Sequence, residues 1–181
     1  MIYDEYTIKS KIRTILNWPQ PGIAFRDLSP LFQDPKAARL VTDTFAQRYI
    51  DSPITHIAAV DARGFLLGSN LAYVLNKPLI LIRKEGKLPG PVDSIEYNYE
   101  YATGRLEIIK NSVDSNARVL IIDDVIATAG TAMAASQLLQ QQGAEIEEIA
   151  AIVDLADLDG RETLNNADIA VFTLCTLKGE Q

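Results

Sequence analysis

The sequence predicts an α/β domain: a largely parallel central sheet flanked by helices. Three observations lead there. From residue 54 onward, short aliphatic runs alternate with stretches of helical length and periodicity. The run VLII at 119–122 is aliphatic at every position, as expected of a strand buried on both faces. Polar, small-residue loops follow directly after the aliphatic runs, where open α/β sheets hold their ligands. At 181 residues the chain fits one domain with room for a small lobe, and it is long enough to bury a core without staples.

The elements justify this in order. Ile8, Ile12, Ile15 and Leu16 share a helical face, so a helix is expected over 7–17, ended by Pro19 and Pro21-Gly22. Asp34-Pro35 opens a second helix, with an N-cap acid and proline at N1, running to about Tyr49. Strands follow at 54–60, 78–82, 105–110, 119–122, 146–153 and 169–174. Helices are expected at 65–75 and at 131–142, the latter closed by Gly143. The segment 84–100 is expected to be a long irregular loop.

Composition narrows the function. Charged residues make up 23% and the formal net charge is −7, which argues against broad nucleic-acid binding. The first ten residues have no basic and then apolar pattern, so no secretory leader is expected. No apolar run is long enough to span a bilayer, so no membrane partner is expected. The single cysteine, Cys175, lies in a strand-like run and fits a reducing, cytoplasmic setting. His56, the only histidine, also lies in a strand, which favours packing over chemistry. With so few ligands, a transition-metal site made of protein side chains is not expected.

Three loops carry the candidate chemistry. The first is VLIIDDVIATAGTAMAA at 119–135. Asp123 and Asp124 end a buried strand; Ala127, Thr128, Ala129, Gly130 and Thr131 then lead into a helix. Amides at a helix N-terminus bind anions, and small residues let a phosphate approach them. The acid pair would face sugar hydroxyls and a hydrated Mg2+. A buried strand with an N-cap cluster would look similar if this stretch stood alone. No GxxxxGK[ST] loop and no GxG fingerprint is present, so the phosphate site is of another kind.

The second loop, Asp61, Ala62, Arg63 and Gly64, also joins a strand to a helix and adds a guanidinium fork. The third, RKEGKLPGPVDSIEYNYE at 83–100, places Arg83, Lys84 and Lys87 just past PLILI. A basic, glycine-hinged segment beside two anion sites would act as a lid; a solvated loop is the plainer alternative. Glu100 lies among Tyr97, Tyr99 and Tyr101, whose rings would desolvate it and raise its pKa. Two anion sites and an acid pair suit a ligand with a phosphate at one end and a pyrophosphate at the other.

These loops resemble the type I phosphoribosyltransferases, whose hallmark is an aliphatic strand, two acids and a small-residue loop. PGIAFRDLSPLFQDP, VDARGFLLG, LIRKEGKLPGP and IEYNYEYATGRLEI are similar to the adenine-using branch of that family, and the likeness spans about 18–161. The resemblance implies Mg2+-dependent transfer of a 5-phosphoribosyl group from phosphoribosyl pyrophosphate (PRPP) to N9 of adenine, giving AMP and pyrophosphate. It implies an N-terminal hood over residues 1–34, a core over 35–181 with a flexible catalytic loop at about 84–100, and a homodimer. Ala127 to Thr131 would hold the 5′-phosphate, and Asp123 and Asp124 would face the ribose and Mg2+. Asp61, Ala62, Arg63, Gly64, Arg83, Lys84 and Lys87 would serve pyrophosphate, the last three reaching a neighbouring subunit's site. Ala24, Phe25, Arg26 and Leu155 would line the adenine pocket, and Glu100, flanked by Tyr101, would be the acid/base group.

One departure is plain: the family's loop usually reads ATGGT, and here Ala129 takes the first glycine's place. If that position needs a positive φ, alanine carries strain there. A transferase for another purine, and a non-catalytic ligand sensor on the same fold, remain open at this stage. A sensor of that kind should carry a basic surface or an added module, and this acidic chain has neither.

Overall fold

The computed structural model describes residues 5–99 and 102–178; Glu100 and Tyr101 lie outside them. The chain begins with helix α1 (Glu5–Lys9), then strands β1 (Arg13–Leu16) and β2 (Ala24–Asp27), and helices α2 (Ser29–Gln33) and α3 (Pro35–Tyr49). Next come β3 (His56–Val60), α4 (Gly64–Leu75), β4 (Leu79–Lys84), β5 (Val92–Tyr99) and β6 (Ala102–Ile109). The remainder is β7 (Arg118–Ile122), β8 (Val125–Ile126), α5 (Gly130–Gln141), β9 (Glu145–Leu155), a 3-10 turn (Ala156–Leu158), α6 (Gly160–Asn166) and β10 (Val171–Leu177).

The main sheet runs β10-β9-β7-β3-β4-β6-β5, with β8 pairing beside β9. Pairs among β10, β9, β7, β3 and β4 are parallel; β6 joins β4, and β5 joins β6, in antiparallel fashion. The expected mixed α/β fold with a largely parallel sheet is therefore present. One face carries the cluster of Ile82, Leu106, Ile121, Leu138 and Leu164 under α5 and α6. The other carries Ile8, Leu31, Phe45, Leu71, Leu120 and Ile152 under α1 to α4. Burial on both faces is why VLII has no polar position.

Two expectations fail at the level of elements. The helix expected over 7–17 stops at Lys9, and 13–16 form a strand instead. Thr14 and Ile15 are β-branched and pair with Arg26 and Phe25 across β2. Partners distant in sequence decided the conformation over a helical spacing that Ile12 and Ile15 met by coincidence. The long loop at 84–100 is mostly strand, with only 85–91 between β4 and β5. Ile95 and Tyr97 alternate with polar neighbours and are the half-buried face of an edge strand. Near the N-terminus, β1 and β2 form a separate two-stranded sheet, whereas Ile8 and Leu31 belong to the core.

Other details follow the sequence. The Asp34 side chain accepts hydrogen bonds from the amides of Lys36 (2.9 Å) and Ala37 (3.3 Å), capping α3. Cys175 is buried, its thiol donates to the Ile152 carbonyl (3.5 Å), and burial pushes its pKa up to about 12. His56 opens β3 and contacts the Thr55 hydroxyl, at the strand end away from the candidate loops. Buried Glu148 on β9 accepts two hydrogen bonds from Arg48 (3.0 and 2.8 Å) and one from Tyr49 Oη (2.5 Å). The Arg48 guanidinium also lies 4.0 Å from the ring centre of Phe172, so α3, β9 and β10 meet at one cation.

Candidate active site

Strands β3 and β7 are parallel neighbours, so the loops at their carboxyl ends emerge side by side. Both loops border a cleft of about 900 Å³. Within it lie Asp61, Ala62 and Arg63 from the first loop and Asp123, Asp124 and Ala127 to Thr131 from the second. The cleft's other walls include Ala24, Phe25 and Arg26 from β2, Leu155 from the end of β9, and Lys84. A parallel sheet thus collects residues that are a hundred positions apart in sequence.

Asp124 is buried and Asp123 half-buried. The Asp124 amide donates to Asp123 Oδ1 (2.8 Å), and the Asp124 carbonyl accepts from the amides of Ile152 and Val153 (both 3.1 Å). The pair is locked to β9 while its carboxylates meet the cleft. Burial, and then the neighbouring carboxylate, push Asp123 well above the usual range. Burial also raises Asp124, against the pull of Arg63. Arg63 Nε stands 2.7 Å from Asp124 Oδ2 as an ion pair, without a hydrogen aimed at that oxygen. The same guanidinium donates to the Arg26 carbonyl (3.4 Å) and lies 4.9 Å from the Phe25 ring centre. One side chain therefore links the acid pair to the small N-terminal sheet. Two desolvated, mutually repelling carboxylates are a donor set that fits a hydrated divalent cation.

Gly64 explains how the two loops come so close. A Cβ there would lie 2.7 Å from the Ile122 carbonyl oxygen and 3.2 Å from Asp123 Cα. The peptide between Asp61 and Ala62 is cis. In the other loop, Ala129 is the N-cap of α5 with φ +72°, the left-handed region. The strain anticipated for alanine at this position is real. The first-turn amides of a helix have no acceptor within it, so those after Ala129 are available to an anion.

The expected site residues do not all meet. Gly64, Arg83 and Lys87 do not line the cleft; Arg83 Nε pairs with Asp61 Oδ2 (3.0 Å), and its Nη1 donates to the Lys87 carbonyl (3.0 Å). Arg83 braces the loop that carries Asp61. Sequence reasoning missed Trp18, Ile23, Asp157 and Leu158, which also line the cleft. Trp18 packs edge-on against Phe25 with ring centres 4.4 Å apart. A half-exposed tryptophan beside PGIAF was the available signal. It missed Gly160 as well, whose position against the 127–131 loop depends on a helix that the sequence did not reveal.

The comparisons with known proteins agree with this architecture. Residues 28–178 match the phosphoribosyl transferase domain family, and the chain belongs to it. More particularly, it is similar to curated adenine phosphoribosyltransferases. That of Marinomonas sp. is 53% identical over 180 residues, covering 99% of this chain and 100% of the relative. The crystal structure of adenine phosphoribosyltransferase from Thermoanaerobacter pseudethanolicus superposes with a TM-score of 0.91 at 37% identity, covering 96% of this chain and 100% of the other. The Trypanosoma brucei adenine phosphoribosyl transferase, solved with AMP, pyrophosphate and ribose-5-phosphate, gives a TM-score of 0.87 at 33% identity, covering 95% and 79%.

Proposed function

We propose that this chain salvages purine by transferring the 5-phosphoribosyl group of PRPP to N9 of adenine, releasing AMP and pyrophosphate. The observation that carries the reading is the convergence on one cleft of the Asp123–Asp124 pair, the loop at 127–131, residues 61–63 and the apolar residues Phe25 and Leu155. Each end of the two substrates has a counterpart there.

The amides after Ala129, with the hydroxyls of Thr128 and Thr131, hold the 5′-phosphate. Asp123 and Asp124 accept from the ribose hydroxyls. Phe25 and Leu155 take the faces of the adenine ring, and backbone groups of Ala24 to Arg26 read its edge. Breaking the C1–oxygen bond leaves positive charge on the ribose and adds negative charge to the leaving pyrophosphate. The amides of 61–64, Arg63 and Lys84 stabilise that leaving group, and N9 of adenine attacks C1 as the proton passes to Glu100. Asp123 and Asp124 would hold Mg2+ through its waters; bound there with PRPP, the ion supplies charge neutralisation of the pyrophosphate. Arg83 and Lys87 act by bracing the 61–64 loop. The chain works as a homodimer in the cytoplasm, a setting that a single buried thiol suits.

The test is direct. Purified chain with PRPP and Mg2+ is offered adenine, hypoxanthine, guanine and xanthine in turn. AMP forms from adenine and the 6-oxo purines give little product; equal use of hypoxanthine or guanine, or no nucleotide from any base, refutes the proposal.

A further inference from the structure

Helix α6 begins directly under the loop at 127–131. A Cβ on Gly160 would fall 2.0 Å from the Ala127 carbonyl oxygen, 2.9 Å from its carbon and 3.0 Å from the Ala129 amide nitrogen. The backbone of α6 is therefore in direct contact with the backbone that shapes the loop, including the left-handed Ala129 itself. Beside the buried Leu164, Arg161 ties α6 to the sheet. Its Nε donates to Asp154 Oδ2 (2.8 Å), one Nη donates to the Val171 carbonyl (3.1 Å), and the other bonds the Thr173 hydroxyl. Asp154 is 4% exposed, and its other oxygen has no hydrogen-bond donor among the described residues. The backbone of Asp154 pairs with Ile126, the residue immediately before the loop.

One guanidinium thus ties the end of β9 and the start of β10 to the first turn of α6, and α6 presses on the loop through a position where only hydrogen fits. We propose that Arg161 is a positioning residue for the phosphate cradle, with Gly160 as the surface against which the cradle is set. A loop with a strained αL residue needs outside support to keep its amides converged on one point. The buttress supplies it without touching the substrate. Arg161 is required for its fork and not for its charge alone, because a lysine reaches Asp154 but cannot also serve two acceptors on β10.

The proposal rests on reading 127–131 as the 5′-phosphate site, so its test carries a reference variant. Isothermal titration with ribose 5-phosphate and with PRPP, together with KM for adenine and a melting temperature, is run on Arg161→Lys, Gly160→Ala, Thr173→Val and Thr131→Ala. Arg161→Lys and Gly160→Ala should weaken both phosphate ligands on the order of tenfold to a hundredfold, as a misplacement of about 1 Å does. Thr173→Val should weaken them less, and keeps the test open if Arg161→Lys does not fold. The KM for adenine should stay unchanged in all three. If Thr131→Ala weakens phosphate binding while the other variants bind normally, the buttress is refuted and the cradle stands. If all four bind normally, the cradle itself is wrong. Loss of phosphate and adenine affinity together, in step with the melting temperature, also overturns the proposal, since the effect is then global.

Discussion

Ala129 occupies φ +72°, a conformation that costs an L-residue about 1–2 kcal/mol. Glycine would remove that strain, yet it adds freedom to the unfolded chain worth about 0.5–1 kcal/mol. Ala129 is also 5% exposed, so its methyl contributes about 0.8 kcal/mol of burial that glycine loses. The opposing effects nearly cancel. Ala129→Gly should therefore change stability by less than about 1 kcal/mol in a denaturant titration, and a loss beyond about 2 kcal/mol would show that the methyl has a packing role missed here. This near balance explains how the loop keeps an alanine in the left-handed region. At this scale the acids, the arginine and the small-residue loop were legible, because chemistry of that kind is written in residue types. Gly160 was not legible, since a glycine announces nothing about what lies 2.0 Å from its absent side chain.

Among elements, β3, α4, β4, β7, α5 and β9 were readable because each has its own periodicity and stop signal. The errors fell on β1 and β5, whose conformations depend on partners elsewhere. Ile15 needs Phe25 opposite it, and the alternation of Ile95 and Tyr97 becomes a strand only beside Leu106 and Gly104. The contact of α3 with the sheet was equally invisible, because Arg48 and Glu148 are joined across a hundred residues. That junction has a measurable weight. Glu148→Ala leaves the Tyr49 hydroxyl buried without its acceptor and frees a half-exposed arginine, so it should cost roughly 2–4 kcal/mol. The variant's urea midpoint should fall while KM for PRPP and adenine stays put. An unchanged midpoint would mean that the cluster adds no net stability.

The whole molecule separates two tasks. The chain is acidic, with 24 acids against 17 bases, while the cations Arg63 and Lys84 stand on the cleft. The sheet sets the spacing of the loops, and Gly64 lets the two of them approach to within van der Waals contact. On the proposed reading the chemistry follows from placement: a phosphate at one loop, a leaving pyrophosphate at the other, and a base between Phe25 and Leu155. The measurement that bears on this most directly is a crystal structure of the chain with AMP. The account predicts the phosphoryl group on the main-chain amides between Thr128 and Ala132, with the ribose hydroxyls on Asp123 and Asp124. An AMP bound with its phosphoryl group on the 61–64 loop, or away from this cleft, would contradict it.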